Sequence, residues 1–474
     1  MLSKVLDNFC TGNWEGVKSA EAKLLLGSLM NPDALESRAF GEEVDFGITA
    51  YADIAKVSGV IRKNGSIAKL YSDALSSGFL SLPGFFSADN SECFRSYHVN
   101  NGTFLEFLSG GEIFYLVQVR TAFDGFYFPR FNLFYGVSLA SVIKTVRGFV
   151  RALLLGIGAA KVFRAKKARK KLLGLWSGHP LPYHYFYDYL PGLHDLFMKG
   201  LFGGGVEVGG FTNSGYLDLR DFYPGIVNSR AVEYRKGAVY SPSDGFFVSS
   251  LRSPGLKVYK IASELDRYLN ARAATLFFNT SKGMLFERLM SGCERIIWLG
   301  VLSGKRQWVE QADCFERIIR KAVSRGGKIG VVFDGMTSNY YERAGYSKLA
   351  AGAHDKIISS IISNFQARDV EFFSLNYSDP VEKLAIASKV HFFMSDAATS
   401  SIYVSRFCGV PGLIHSNGSV KGHIHKNAKP IPPDWVKASR PGDWQFSDYS
   451  IDASLVSDLF INLLYSGPGG CDAF

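Results

Sequence analysis

The sequence predicts an α/β protein whose C-terminal part is a doubly wound parallel sheet. Between Arg295 and Ser466, short apolar runs alternate with segments whose apolar residues have helical spacing. These helical segments have end signals, such as Gly326-Gly327 after one helix and Asp379-Pro380 before another. Parallel strands need crossovers between them, so this alternation indicates one parallel sheet with helices on its faces.

The regular region contains five predicted strands and five predicted helices. Each strand is a short apolar run, and the helices have the 3.6-residue spacing of one buried face. In chain order the predicted strands are 295–301, 328–335, 370–375, 390–396 and 411–417, and the predicted helices are 309–327, 354–369, 379–389, 400–409 and 453–466.

Residues 1–280 have a less regular pattern and are predicted to form a separate N-terminal domain, followed by a C-terminal domain over residues 281–474. A chain of 474 residues is too long for a single hydrophobic core. The segment 102–123 predicts a strand hairpin that turns at Gly110-Gly111, and 261–279 predicts a long helix that leads into the second domain.

Composition and termini predict an intracellular globular protein. The six cysteines are far apart and form no Cys-x-x-Cys pair, which favours a reducing cytoplasm over a disulfide framework or a zinc site. The N-terminus lacks an apolar core of signal-peptide length. The longest apolar tract, 149–163, is interrupted by Arg151 and Lys161 and is shorter than the roughly 20 residues of a spanning helix.

The net charge of +10 is unevenly distributed. No acidic residue occurs between Gly125 and Tyr187, while the same interval has many Lys and Arg residues, most densely in 163–176. This segment is either a solvated basic helix face, a helix that rests on anionic lipid, or a nucleic-acid site. We expect residues 144–176 to face an anionic membrane surface, and no nucleic acid to bind, because no recognisable nucleic-acid module flanks the run.

Polar and basic residues follow several of the predicted strands. In a doubly wound sheet, ligands bind beyond the carboxyl ends of the strands, where backbone N–H groups and small side chains let a phosphate approach. The run of small residues at 395–401 fits such a position, although it could also be an ordinary helix cap. The predicted donor-binding residues are Lys305 and Arg306 after the first strand, Asp334 after the second, Thr399, Ser400 and Ser401 after the fourth, and His415 and Asn417 after the fifth.

Several common nucleotide motifs are missing from the sequence. No G-x-G-x-x-G opens the regular region, and no G-x-x-x-x-G-K-[ST] occurs anywhere, which disfavours dehydrogenases and P-loop enzymes. There is also no Asp-x-Asp to hold a metal on a nucleotide-sugar diphosphate. A site without metal or other cofactor, using Lys, Arg and a helix end, would fit this pattern.

The stretch "DPVEKLAIASKVHFFMSDAATSSIYVSRFCGVPGLIHSN", residues 379–417, resembles the nucleotide-binding domain of GT-B glycosyltransferases, and most of all bacterial enzymes that assemble surface polysaccharide such as capsule or lipopolysaccharide. The resemblance implies two Rossmann-like domains facing a cleft. It implies a nucleotide-sugar donor on the C-terminal domain and a glycan or lipid-linked acceptor on the N-terminal domain, at the inner face of the cytoplasmic membrane. The Glu-x7-Glu of many retaining members is absent here, so inversion with a general base is expected.

The segment "GHPLPYHYFYDYLPGL", residues 178–193, contains the best candidates for that base. If the chain is helical from Tyr183, His184 and Asp188 lie four residues apart on one face, so the carboxylate could orient the imidazole. We therefore expect His184 to be the base, with His179 as the competing choice, and no metal site. The alternative is a buried aromatic helix whose histidines are core residues.

Two other classes of function remain open at this point. One is a non-catalytic scaffold that binds membranes through its basic segment and needs no strand-end pocket. The other is a different nucleotide-sugar enzyme, such as an epimerase on a GT-B-like fold, which would keep the pocket but lack an acceptor channel.

Overall fold

The computed structural model divides the chain into two compact units, Met1–Ile261 and Ala262–Phe474. The boundary predicted from the sequence lay between residues 280 and 281. The structure describes residues 32–39, 42, 53–62, 66–99, 102–119, 123–137, 139–157, 171–176, 182–202, 205–212, 215–233, 235, 238–242, 244–249, 258–304, 306–338, 346–365, 369–397, 399–417, 427–440 and 447–466.

A seven-stranded sheet is the largest element of the N-terminal unit. Its strand order is β1-β7-β6-β5-β4-β3-β2; β1 and β7 are parallel and the other neighbours are antiparallel. The predicted hairpin at Gly110-Gly111 is present between β4 and β5. The strands are β1 (Glu36–Ala39), β2 (Ser81–Leu82), β3 (Ser91–Val99), β4 (Gly102–Ser109), β5 (Glu112–Val119), β6 (Gly125–Phe128) and β7 (Leu133–Gly136).

Helix α3 covers one face of this sheet. It follows α1 (Ile54–Arg62), α2 (Ser66–Ser77) and a 3-10 turn (Pro129–Phe131), and spans Ala140–Ile157. Val146 and Phe149 are fully buried, and the Phe149 ring stacks on Phe104 at a centroid distance of 3.8 Å. The apolar face of α3 is therefore buried against the seven-stranded sheet.

A second, four-stranded parallel sheet completes the described part of this unit. Its order is β10-β9-β8-β11, and the Trp176 ring of β8 stacks on His98 of the larger sheet at 4.1 Å. Its strands are β8 (Lys171–Trp176), β9 (Val206–Phe211), β10 (Ile226–Val232) and β11 (Gly245–Ser249). The connecting helices are α4 (Pro182–His184), a π-helix (Tyr185–Tyr189), α5 (Leu190–Met198) and α6 (Leu219–Phe222).

The N-terminal unit differs from the Rossmann-like domain that the resemblance implied. Only the smaller sheet is all-parallel, and the larger one is mainly antiparallel. The reason is local, because strands joined by a turn as short as Gly110-Gly111 can pair only in antiparallel fashion.

The basic segment 144–176 also differs from its prediction. Residues 171–176 form strand β8 instead of a membrane-facing helix, and Leu172, Leu175 and Trp176 are buried. Because these side chains pack inside the protein, they are not available to lipid. Residues 158–170 lie outside the described residues. Among the described helices, none has the length and apolar character needed to cross a bilayer.

The C-terminal unit contains the predicted parallel sheet. Its strand order is β14-β13-β12-β15-β16-β17 and every neighbouring pair is parallel, which confirms the doubly wound arrangement of this region. The strands are β12 (Arg295–Gly300), β13 (Ile329–Asp334), β14 (Val370–Ser374), β15 (Phe392–Asp396), β16 (Gly412–His415) and β17 (Ala428–Pro430), with a separate pair β18 (Lys437–Ala438) and β19 (Tyr449–Ser450).

Helices cover this sheet and close its core. The α9 and α12 helices pack together over residues such as Phe315, Ile319, Val456 and Phe460, all of which are fully buried. The helices are α7 (Val258–Phe278), α8 (Ser281–Met290), α9 (Gln311–Ser324), α10 (Tyr346–Ile362), α11 (Pro380–Ala387) and α12 (Ala453–Tyr465).

The helix predicted at 400–409 is irregular in the structure. Thr399–Ser401 form a 3-10 turn, and Ile402–Phe407 form a π-helix. A phosphate site at the N-terminus of a regular α-helix was expected here, and the structure has no regular α-helix over the described residues at this position. Single-turn π segments inside helices are rare and often occur at functional sites.

Candidate functional site

The strand order reverses between β12 and β15, so the loops that follow these two strands flank one crevice at the carboxyl edge of the sheet. The strand ends approach closely because Gly300 has no side chain: a Cβ there would lie 2.4 Å from the Ser395 Oγ. The Ser395 hydroxyl in turn donates to the Ser400 Oγ at 2.9 Å. The two loops predicted to bind a donor thus emerge from neighbouring strands.

Of the two basic residues predicted in the loop after β12, the structure describes Arg306. Its backbone has a φ of 59°, a left-handed conformation that is uncommon for a residue with a side chain. The loop is held by Gln307, whose N–H donates to Asp448 Oδ1 at 2.8 Å and whose carbonyl accepts from Tyr449 N at 3.0 Å. Within the described residues, no hydrogen bond or ion pair involves the Arg306 guanidinium. Lys305 lies outside the described residues.

A buried polar cluster lies at the ends of β15 and β16, where Asp396 and His415 are paired in adjacent strands. The Tyr449 hydroxyl bonds to His415 Nδ1 at 2.6 Å. Burial lowers the pKa of His415 to about 3, so the ring is neutral at physiological pH. Burial and then the Asp396 carboxylate raise the pKa of Tyr449, and Arg306 opposes them. His415 is therefore a buried residue that supports the strand ends, and its side chain does not face a donor as predicted.

Other predicted donor residues at these strand ends are also buried. Asn417 donates from Nδ2 to the Ser447 carbonyl at 3.3 Å and anchors the chain that follows β16. Ser401 is only 1% exposed, so its hydroxyl does not face outward as expected. Ser400 is half-buried, and nothing is described of the Thr399 side chain. Among the strand-end predictions, Arg306 and Ser400 thus keep side chains at least partly open to solvent.

Asp334 was predicted to bind the donor, but the structure places it beneath the strand ends. Its carboxylate is 1% exposed and pairs with Lys383 of α11 at 2.5 Å. Burial raises the pKa of Asp334, and Lys383 opposes the shift. Lys383 was not among the predicted residues. A signal was present, since Pro380 and Ala387, three residues before it and four after it, share its helix face and are buried.

The N-terminal unit contains a separate cluster at the start of the π-helix. His184 Nδ1 and Asp188 Oδ2 are 2.6 Å apart, so the structure brings together the pair predicted from the sequence. Because the carboxylate accepts, Nδ1 carries the proton and Nε2 is the basic nitrogen of the neutral ring. The Tyr183 and Tyr187 rings stack at 4.5 Å beside this pair and are half-buried. The cluster combines a proton acceptor with an aromatic wall.

The remaining histidines of this region have other positions. His179 lies outside the described residues. His194 is 1% exposed, and its Nδ1 is 3.4 Å from the Tyr223 hydroxyl inside the core. It is therefore a core histidine.

Comparisons with known proteins give only remote similarities. No protein-family model and no curated protein sequence matches the chain. The trehalose-6-phosphate phosphatase N-terminal domain of Candida albicans aligns at 13% identity over 69% of this chain and 70% of that chain, with a TM-score of 0.31. The α,α-trehalose 6-phosphate synthase of Burkholderia multivorans aligns at 10% identity over 71% and 78%, also with a TM-score of 0.31.

A third solved structure, TarM, aligns over more of the chain but less well. It covers 85% of this chain and 75% of its own at 9% identity, with a TM-score of 0.22. Similarities at these TM-scores have no weight for fold or function, which rest on the strand order and residues of this chain.

Proposed function

We propose that this chain is a glycosyltransferase that moves a sugar from a nucleotide-sugar donor to a glycan or lipid-linked acceptor. One observation carries the proposal. The basic loop after β12 and the small-residue loop after β15 emerge side by side where the strand order reverses, which is where doubly wound sheets bind nucleotides. The sequence resemblance to GT-B glycosyltransferases agrees with this position.

The donor diphosphate would bind against the loop after β12. Arg306 offers a guanidinium that no described residue pairs, and a bidentate guanidinium suits phosphate oxygens. Lys305, its neighbour in the sequence, would add a second positive charge. Two cations can neutralise a leaving nucleoside diphosphate without a metal ion, so we propose metal-independent transfer.

The acceptor would bind at the N-terminal cluster of Tyr183, His184, Tyr187 and Asp188. Stacked tyrosines present flat apolar faces of the kind that pack against sugar rings. We propose that His184 Nε2 removes the proton of the acceptor hydroxyl as the hydroxyl oxygen attacks the donor sugar. Asp188 would hold the ring in the required tautomer and stabilise the imidazolium that forms. Transfer would then invert the anomeric centre.

Binding and transfer are tested together. Thermal shifts with UDP, GDP, CMP and dTDP identify the nucleotide, and product analysis with the corresponding nucleotide sugars identifies the reaction. We expect one nucleoside diphosphate to stabilise the chain and the sugar to appear on an acceptor. Stabilisation by none of the four would contradict the proposal, and interconversion of sugars without transfer would favour an epimerase.

We further propose that the enzyme works at an anionic membrane surface, at the cytoplasmic face. With Leu172, Leu175 and Trp176 buried, this contact would be electrostatic and would rest on the basic residues of 164–170. Sedimentation with vesicles of phosphatidylcholine alone and with added phosphatidylserine checks it. We expect binding only to the charged vesicles, weakening as salt rises, and binding that ignores lipid charge would contradict the proposal.

A further inference from the structure

A buried ammonium group, that of Lys383, lies beneath the carboxyl edge of the C-terminal sheet. The side chain is 0% exposed although it extends from the short helix α11. Its Nζ donates to the Gly335 carbonyl at 2.9 Å, the Met336 carbonyl at 3.2 Å and the Thr337 Oγ1 at 3.1 Å. All three acceptors belong to the loop that follows β13.

These contacts use the whole donor capacity of the amine. An ammonium group has three N–H bonds, and four oxygens surround this one when Asp334 at 2.5 Å is included. No N–H remains for a ligand, and the burial of Nζ excludes direct contact. Lys383 can therefore influence a bound molecule only through the groups that it holds.

The groups that Lys383 holds connect three strand ends. The Asp334 carbonyl accepts from Val301 N at 2.7 Å, at the start of the loop that contains Arg306. Nζ also lies 5.7 Å from the centre of the Tyr403 ring, in the π-helix that follows β15. Through these contacts the ammonium touches the chain after β13 and the Tyr403 ring after β15 directly, and it reaches the chain after β12 through Asp334.

The loop after β13 is also held from its other side. The Met336 N–H donates to His354 Nδ1 at 3.1 Å and to Asn376 Oδ1 at 3.0 Å. The Ser338 N–H donates to the Ser378 carbonyl at 3.0 Å. Lys383 is the described side-chain donor to the Gly335 and Met336 carbonyls, and the Met336 carbonyl also accepts from the Tyr377 N–H at 2.7 Å. The amine therefore holds the inward side of the loop together with this backbone bond.

We propose that Lys383 is the positioning residue of the strand-end site, fixing the loops after β12, β13 and β15 in the arrangement that receives the donor diphosphate. The inference rests on the proposed function, because the loops that Lys383 holds are arranged to bind the nucleotide-sugar donor. It adds a residue that never touches the donor and yet determines its affinity.

The test must separate positioning from folding. Lys383→Met alone would leave the Asp334 charge buried without a partner, which destabilises the fold strongly. The double variant Asp334→Asn, Lys383→Met removes both charges and keeps an acceptor for the Gly335 N–H, which bonds to Asp334 Oδ1 at 2.9 Å. A matched control is Lys321→Met with Asp458→Asn, an ion pair of 2.7 Å on the half-exposed surface of the same domain.

Three measurements are made on each full-length variant: the denaturant midpoint, the amide hydrogen exchange of residues 336–338, and the affinity for UDP and GDP by calorimetry. We expect the double variant to recover the midpoint that the single variant loses. Its loop amides should exchange at least about tenfold faster and its nucleotide affinity should fall about tenfold, the scale of one lost charged hydrogen bond. The control pair should leave exchange and affinity unchanged.

Unchanged exchange of the loop amides in the double variant would overturn the inference, and so would faster exchange with unchanged nucleotide affinity. The proposed function fails separately, if the wild-type chain binds neither these two nucleotides nor CMP or dTDP. In that case the amide exchange still decides whether Lys383 holds the loop.

Discussion

His184 and His415 were both predicted to belong to the functional site, and their surroundings in the structure are opposite. His184 is half-buried in the N-terminal unit and pairs with the Asp188 carboxylate. His415 is 1% exposed in the C-terminal unit and bonds to the Tyr449 hydroxyl. The same residue type thus occurs once with an anionic partner near solvent and once with a neutral partner in the core.

The difference indicates which histidine ring lies near solvent. The His184 ring is partly exposed and its Nδ1 donates to a carboxylate, which fits the base role proposed for it. Burial lowers the pKa of His415 to about 3, so this ring supports the strand ends in its neutral form. Substitutions at His184, Arg306 and His415 test this distinction, and the sizes of their expected effects differ.

The largest effect is expected for His184→Ala. Removal of a positioned general base lowers turnover by about 10²–10⁴-fold. Nucleotide affinity and thermal stability should hold, because the ring is partly exposed and lies outside the hydrophobic core. Steady-state transfer rates, calorimetric titration with the nucleotide and a thermal melt measure the three quantities.

Two outcomes would contradict this assignment. Loss of folding would make His184 a core residue, and normal turnover would place the base elsewhere, with His179 next to be changed. Asp188→Asn and Asp195→Asn form a matched pair for the partner. Both remove a carboxylate from an i,i+4 pair, with His184 and Lys199 respectively, and only Asp188→Asn should lower turnover.

A smaller effect is expected at the strand-end site for Arg306→Ala. Loss of a hydrogen bond to a charged phosphate should weaken nucleotide binding by about 1.5–3 kcal/mol, and Lys305→Ala should behave alike. Titration calorimetry measures the affinity. Arg317→Ala, which removes an exposed cation paired with Asp313 on α9, is the control. Equal affinity in the Arg306 variant and the control would remove Arg306 from the donor site.

The smallest effect is expected for His415→Phe and concerns stability as the pH changes. The folded chain keeps His415 neutral because burial lowers its pKa to about 3, while the unfolded chain binds a proton below about 6.5. This contribution to stability is present above pH 6.5 and is lost as the pH falls. Between pH 7 and pH 5 the chain should lose about 2 kcal/mol of this contribution. The loss is measured as the change in the free energy of unfolding in urea.

The measurement compares wild type and His415→Phe at each pH, because another group acts in the opposite direction. Burial raises the pKa of Asp266 to about 7 against the opposing charge of Arg406, so its contribution is lost as the pH rises. The variant should therefore lose less stability than the wild type on acidification. An equal loss in both chains would show that His415 is not held neutral.

The parallel sheet of the C-terminal unit could be predicted from the sequence because its strands are local apolar runs separated by capped helices. Asp379 illustrates this, since its side chain accepts from Glu382 N and begins α11 at the predicted position. Strand β17 was missed, because three residues containing Pro430 give no periodic signal. Strand β8 was mistaken for part of a basic helix. The run of lysines before it suggested one continuous basic segment, and the apolar residues of the strand were assigned to that segment.

The candidate site divides in the same way. The His184–Asp188 pair was predictable because a four-residue spacing within one helical segment places two side chains together. The roles of Asp334 and His415 were not predictable, because Lys383 and Tyr449, their partners, lie 49 and 34 residues further along the chain. Such partners are chosen by packing over long sequence separations, which no local pattern encodes.

By itself the sequence determined the alternation of strands and helices, their caps, and the residues that follow each strand, since these depend on contacts between near neighbours. The tertiary structure decided which of those residues are open to solvent and which are buried supports. Asp334 and Arg306 both follow a strand, yet one is enclosed with Lys383 and the other has no paired group among the described residues. Burial depends on what the rest of the chain packs against a position, and only the folded sheet with its helices supplies that.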